Sequence, residues 1–227
     1  VEIKDGGLSL IRITDNGSGI SPEDIKNAFL PHATSKINDA ADLVSIRSLG
    51  FRGEALASIA SVCRVELITK TAGEITGTSY KIEGGKEIEL SEIGAPDGTT
   101  FIVRDIFFNT PARRKFLKSA QTEGVYISEL VERIALSKPD ISFRLIMNGQ
   151  TKLFTTGNGK LKDVIYAVFG REISQNVIPV KHKLSSLSIT GFAGKPVINR
   201  GNRSFEIFFI NGRYVKCKMV YKAIEEA

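Results

Sequence analysis

Ser48-Leu49-Gly50-Phe51-Arg52-Gly53-Glu54-Ala55-Leu56-Ala57-Ser58-Ile59-Ala60-Ser61-Val62 is a glycine-bracketed loop that turns without interruption into an apolar, alanine-rich helix. Two glycines three residues apart let the backbone pass close to a bulky anion. The first N–H groups of the helix, unpaired within it, face the same point. Loop and helix together form a candidate phosphate cradle. By itself the stretch is equally an ordinary loop-to-helix junction, and its neighbours decide between the two.

Upstream, Leu8 to Thr14 alternates apolar and polar side chains, the period of a half-buried strand, and runs into Asp15-Asn16-Gly17-Ser18-Gly19-Ile20. Ser21-Pro22-Glu23-Asp24 then starts a helix with a hydroxyl cap, a proline at the first position and acids in the first turn; Ile25, Ala28 and Phe29 share its inner face. It ends before Pro31, and Pro31 to Lys36 reads as a loop. Asp15-Asn16-Gly17 alone is a turn signal. With Gly19 added, the bend brings the Asp15 carboxylate to the rim of a pocket, where it can accept a hydrogen bond from an exocyclic amine, the group that separates adenine from guanine. The Thr34 hydroxyl can hold a water or a base edge, the Lys36 ammonium supplies a point charge for phosphate, and Gly50 to Glu54 can wrap the phosphates. Neither a Walker P-loop nor a Rossmann fingerprint is present in the sequence.

Downstream, Arg64 to Thr71 alternates as a strand, with further strands at Thr78 to Ile82, Glu87 to Ser91 and Thr100 to Ile106; their turns predict an antiparallel meander. Asn109-Thr110-Pro111-Ala112-Arg113-Arg114-Lys115-Phe116-Leu117-Lys118 opens a short basic helix with Thr110 placed as its cap. Val125, Ile127, Leu130, Val131, Ile134 and Ala135 mark the buried stripe of a longer helix that stops before Pro139. Ile141 to Met147 and Thr151 to Thr155 form a hairpin around Asn148-Gly149. After Thr156-Gly157-Asn158-Gly159, Leu161 to Phe169 is helical with Gly170 as its stop, and strands follow near Val177 to His182, Leu187 to Phe192 and Phe205 to Ile210.

That linker coincides with a change in charge. Residues 1–156 hold 19 Lys+Arg against 20 Asp+Glu, whereas residues 157–227 hold 12 against 5, a net +7. The division predicts two domains, 1–156 for a small ligand and 157–227 for a polyanion such as DNA. At 42% apolar and 25% charged residues the chain reads as globular, with no apolar run of membrane-spanning length and no charged-then-apolar leader. Cys63 and Cys217 lie far apart with no Cys-x-x-Cys, which argues against structural zinc and for a reducing, cytoplasmic setting. A start at Val1 rather than Met leads to the expectation that the chain is part of a longer one.

The order Asp15-Asn16-Gly17-Ser18-Gly19, His32-Ala33-Thr34-Ser35-Lys36-Ile37, Gly50-Phe51-Arg52-Gly53-Glu54-Ala55-Leu56 and Gly98-Thr99-Thr100 resembles the GHKL ATPase superfamily of gyrase B, Hsp90 and histidine kinases. Gly50 to Ala57 and Asn109 to Leu117 resemble one branch, the MutL DNA mismatch repair proteins, and Ala33 to Ile37 with Ser48 to Val62 is most similar to bacterial members. The resemblance covers nearly the whole chain. It implies an α+β fold: a GHKL (Bergerat) two-layer sandwich of mostly antiparallel sheet with helices on one face, followed by a truncated, S5-like α/β transducer domain. It further implies ATP and Mg²⁺ as cofactors and a nucleotide site of Asp15, Gly17, Gly19, Thr34, Lys36, Gly50, Phe51, Arg52, Gly53, Glu54, Ala55, Leu56 and Thr100. Arg133 and Arg213 correspond to positions that the family uses toward DNA, and Arg200 and Arg203 lie in the same basic segment. A MutS-type mismatch recognition protein, a downstream nuclease or helicase, an ATP-dependent homodimer and a nucleoid-associated location are implied as well.

The family's first motif, with the Glu that activates water and the Asn that binds Mg²⁺, is expected before Val1, and its γ-phosphate lysine beyond Ala227. Residues 1–227 alone are therefore expected to bind adenine nucleotide weakly and hydrolyse ATP poorly. Two other readings stand beside this one. A nucleotide-sensing DNA scaffold that never hydrolyses ATP fits the basic segment. A gyrase-like or chaperone-like ATPase fits less well with the run Asn109 to Leu117.

Overall fold

The computed structural model describes residues 1–32, 53–185 and 187–226. Its strands are β1 Glu2–Lys4, β2 Leu10–Asp15, β3 Arg64–Lys70, β4 Gly77–Glu83, β5 Lys86–Ile93, β6 Gly98–Arg104, β7 Arg144–Met147, β8 Gln150–Phe154, β9 Val177–Lys183, β10 Ser188–Gly194, β11 Phe208–Ile210 and β12 Arg213–Val215. The helices are α1 Pro22–Ala28, α2 Ala55–Val62, α3 Pro111–Arg114, α4 Ala120–Ser137, α5 Leu161–Gln175 and α6 Lys218–Glu225. The first eight strands form one sheet in the order β5-β4-β3-β6-β2-β1-β7-β8. In it β1 pairs with β2, β2 with β6, β6 with β3, β3 with β4 and β4 with β5 antiparallel, and β1 pairs with β7 parallel. The chain divides into two compact units, Val1–Ser128 with Leu145–Thr151, and Glu129–Arg144 with Lys152–Ala227.

In the first unit, side-chain alternation decides which sheet face is covered. Val65, Leu67 and Thr69 on β3 are buried, as are Tyr80 and Ile82 on β4. They pack against Ile25 and Phe29 of the α1 segment and Ala60 and Cys63 of the α2 segment, with Phe101 and Val103 of β6 alongside. Phe29 lies 5.4 Å from Tyr80 and 6.4 Å from Phe101 between ring centroids. Burying each such side chain contributes about 1.5–3 kcal/mol. Burial also pushes the Cys63 thiol above its ordinary pKa, against a smaller lowering by a backbone hydrogen bond from Phe107.

The meander breaks after β5. β6 pairs with β3 and β2 instead of β5. The reason lies in composition: Phe101 and Val103 make β6 fit for a central place beneath the helices, whereas Lys86, Glu87, Glu89 and Glu92 make β5 fit for an edge. Helix α2 ends under unusual control. Its last carbonyls, on Ala60, Val62 and Cys63, accept from the N–H groups of Gly85, Phe107 and Gly84, and Ser61 O accepts from Asn109 Nδ2 at 2.9 Å. No glycine terminates this helix; donors from elsewhere in the chain satisfy the groups a helix C-terminus leaves unpaired.

Three sequence expectations change in detail. Thr110 makes no side-chain cap for α3, and its hydroxyl is buried without a partner among the described residues. The inner stripe of α4 runs through Gly124, Val131, Ala135 and Leu136, while Val125 and Leu130 are exposed. Gly124 faces inward, where a Cβ would stand 2.8 Å from Met147 Cε. Gly170 interrupts α5 at φ 84° and ψ 179° without ending it.

In the second unit, β9 and β10 form an antiparallel ribbon and β11 and β12 a short hairpin turned by Asn211 and Gly212, both at positive φ. Asn148-Gly149 turns the β7–β8 hairpin in the same left-handed way. Among the described residues no helix is long and apolar enough to cross a membrane.

Candidate functional site

The turn that follows β2 is built by close approaches. Gly17 N–H donates to Asp15 Oδ1 at 2.8 Å, an Asx turn that leaves the rest of the exposed carboxylate outward. Gly19 has φ 75°, and a Cβ there would sit 2.2 Å from Lys70 O, so the turn lies directly against the end of β3. Ile20 N–H then donates to Thr69 Oγ1 at 2.9 Å. Thr69 Oγ1 also bonds to Gly98 O at 3.1 Å and to Thr99 Oγ1 at 3.2 Å. A carbonyl only accepts, so the Thr69 proton goes to Gly98 O and the Thr99 hydroxyl donates to Thr69. Thr99 is left with oxygen lone pairs for a further donor.

Register places Asp15 opposite Thr99 and Thr69 opposite Thr99, so these three side chains share one sheet face. It is the face that carries Phe101 and Val103, beneath α1 and α2. Thr100 projects from the other face, where its hydroxyl donates to Thr14 Oγ1 at 3.1 Å. Of two adjacent threonines the structure thus brings Thr99, not Thr100, to the side of Asp15. Period-two alternation outward from Phe101 carries that signal in the sequence.

Gly53 enters α2 with φ 64°, and Glu54 at the N-cap makes no side-chain cap bond. No acid occupies the first turn of α2. Ala55 is exposed and Leu56 half-buried against the core. Glu54 Oε1 instead lies 3.3 Å from His32 Nδ1. Both residues line a cleft of about 330 Å³ with Ala57, Ser58 and Ser61. Thr34, Lys36, Gly50, Phe51 and Arg52 lie outside the described residues.

In the second unit Arg133 pairs with Glu129 and lies 4.8 Å over the ring of Tyr214, the residue next to Arg213. Arg200 lies over Phe205 at 5.5 Å and Arg203 over Tyr221 at 5.2 Å. Three of the four arginines read as DNA-facing are therefore stacked on aromatic rings, which limits their rotamers.

Over all 227 residues the chain is 64% identical to a DNA mismatch repair protein MutL from Agathobacter rectalis, covering 35% of it. It is 50% identical over the same length to a Clostridium botulinum MutL, covering 34%. This chain belongs to the MutL family. A family model described as DNA mismatch repair protein, C-terminal domain, matches residues 165–227. The Aquifex aeolicus MutL ATPase domain complexed with ADP is similar at 29% identity and a TM-score of 0.75, covering 99% of this chain and 78% of that one. A second Aquifex aeolicus MutL ATPase domain, from a protein described as a bacterial mismatch repair endonuclease, matches with 27% identity and a TM-score of 0.70. Its coverage is 99% of this chain and 74% of the other. The fold is the GHKL α+β fold of MutL ATPase domains, with a mostly antiparallel sheet. The chain spans about a third of the length of the curated MutL relatives it matches.

Proposed function

We propose that the first unit binds adenine nucleotide as the ATPase region of a MutL-type mismatch repair protein, and that the basic residues of the second unit face DNA. The observation that carries this reading is the convergence of Asp15, Thr99 and Thr69 on one sheet face beneath α2. Asp15 accepts from the exocyclic amine of adenine, directly and through a water that also donates to Thr99. Gly17 and Gly19 hold the turn, while Thr34 and Lys36 contact the nucleotide. Gly50, Phe51, Arg52, Gly53, Glu54, Ala55 and Leu56 enclose the phosphates, with the open first turn of α2 directed at them. Similarity to a MutL ATPase domain complexed with ADP supports the ligand class.

ATP is the nucleotide this family reading assigns. Mg²⁺ is the metal that this reading pairs with ATP; among the described residues no three His, Cys, Asp or Glu converge, and the steps proposed involve the chain's own polar groups. The domain reading is 1–156 for nucleotide and 157–227 as an S5-like transducer. In the complete protein, nucleotide binding gates a homodimer that links a MutS-type mismatch recognition protein to a strand-removing nuclease or helicase in a bacterial, nucleoid-associated setting.

Thr99→Val and Thr100→Val test the base pocket. Thr99→Val is expected to weaken ADP binding about 5- to 30-fold by calorimetry, the loss of about one hydrogen bond, while Thr100→Val leaves it unchanged. The reverse order would move the pocket to the other sheet face. The basic second unit favours the non-hydrolysing DNA scaffold as the other reading. Under either, Arg213→Glu is expected to weaken duplex DNA most at low salt and to flatten the dependence of affinity on salt, measured by anisotropy titration. Unchanged affinity at low salt would take Arg213 out of the interface.

A further inference from the structure

β5 is the outermost strand on its side of the sheet, and no described strand pairs with its outer side. Seven of its eight residues are exposed. An edge of this length presents a row of backbone donors and acceptors that can take up another strand. Beside it lies a cleft of about 450 Å³ lined by Pro22, Glu74, Ile75, Thr76, Leu90 and Glu92 among others. Ile75 is 99% exposed and Leu90 44% exposed at this rim. Register puts Leu90 opposite Tyr80 and Glu92 opposite Thr78, so both project from the same face.

The charge around the cleft is one-sided. The nearby cations Lys26 and Lys81 are held by Glu87 and Glu89 at 2.9 and 2.8 Å. Glu74 and Glu92 have no ion pair among the described residues; Glu74 accepts from Thr71 N–H and Glu92 from Thr76 Oγ1. A second copy placed edge to edge would set Glu87, Glu89 and Glu92 against the same acids, a costly arrangement for directly opposed like charges. A helix laid in the cleft would leave the backbone groups of β5 without partners.

We propose that β5 is a docking edge for an extended, basic segment of a partner protein, which adds a strand to the sheet and lays aliphatic side chains on Ile75 and Leu90. Backbone pairing gives the affinity, while Glu74 and Glu92 select Lys or Arg at alternate positions. The surface is independent of the nucleotide reading.

The test uses the 227-residue chain and a fluorescein-labelled nonapeptide in which valine alternates with lysine and threonine, read by fluorescence anisotropy. Binding is expected, and it should fall at least 10-fold for Ile75→Asp and for the Glu74→Lys, Glu92→Lys pair. These side chains are at the surface, and unchanged circular dichroism would establish that the variants fold. The same peptide methylated on alternate backbone nitrogens keeps its charge but cannot pair, and it should bind at least 10-fold more weakly. Equal binding of the methylated peptide would reduce the effect to charge attraction and overturn the proposal, as would absence of binding. A dimer of the chain that Leu90→Lys dissociates in sedimentation would overturn it in favour of a second copy. Asp15→Asn should leave peptide binding unchanged, so a failed nucleotide site and a failed docking edge are told apart.

Discussion

Asp15→Asn is expected to reduce ADP and ATP affinity at least 100-fold, to the edge of calorimetric detection, with the urea midpoint of the chain unchanged. The two halves of this result have separate causes. Asp15 is exposed, and its carboxylate accepts a hydrogen bond from Gly17 N–H. An asparagine oxygen can accept that same bond, so the turn and the fold persist. The adenine contact cannot persist in the same form. A carboxylate offers acceptors only, whereas the amide turns donors toward an exocyclic amine that also donates. Losing a hydrogen bond to a charged group is worth about 1.5–3 kcal/mol, and leaving the base amine facing a donor adds to that. Measuring GTP alongside sharpens the result, because discrimination between the two nucleotides should collapse with affinity. Full ATP affinity in the variant would remove Asp15 from the site.

How far the sequence could be read depended on whether the deciding signal was local. Asp15 to Gly19 was legible because a strand, an acid and two glycines at fixed spacing specify a turn. The Asn-Gly turn at 148–149 was legible because both of its residues need positive φ, and both have it. The position of β6 was not, since turn signals between β5 and β6 are blind to which edge of β3 has room beneath the helices. Thr99 and Thr100 are a similar case. Both are hydroxyl residues after Gly98, and only the pleat, fixed by Phe101 packing against Phe29, tells which one shares the face of Asp15. Choosing Val125 and Leu130 for the inner stripe of α4 followed side-chain size. The helix instead turns Gly124, Val131, Ala135 and Leu136 inward, with Met147 close over Gly124. Thr110 had the right residue type for a cap, but its φ of −130° and ψ of 68° aim it elsewhere. Arg133, Arg200 and Arg203 were legible as charge, whereas their aromatic platforms depend on side chains brought together by folding.

The second large effect falls on a glycine that carries no chemistry. Gly98→Ala is expected to cost more than about 3 kcal/mol in urea unfolding. Gly98 has φ 112°, and a Cβ there would come 2.2 Å from Asp15 O and 2.9 Å from Asn16 Cα, all backbone atoms that cannot swing aside as a side chain would. The left-handed conformation alone costs about 1–3 kcal/mol for a non-glycine residue, and the clash adds to it. Relief by sliding β6 is blocked. Gly98 O accepts from Thr69 Oγ1, and Thr69 in turn holds Ile20 N–H, so moving the strand end opens a buried network. Gly73 supplies the control, since a Cβ there meets nothing within 4 Å and its alanine variant should unfold with the parent chain. If Gly98→Ala unfolded at the parent midpoint, the close approach of the start of β6 to the Asp15 backbone would be absent in solution. The shared sheet face of Asp15 and Thr99 would lose its support with it. If the variant instead folds only at low urea and the folded fraction still fails to bind ADP, the glycine will have been shown to shape the base pocket by letting two strand ends approach more closely than any side chain permits.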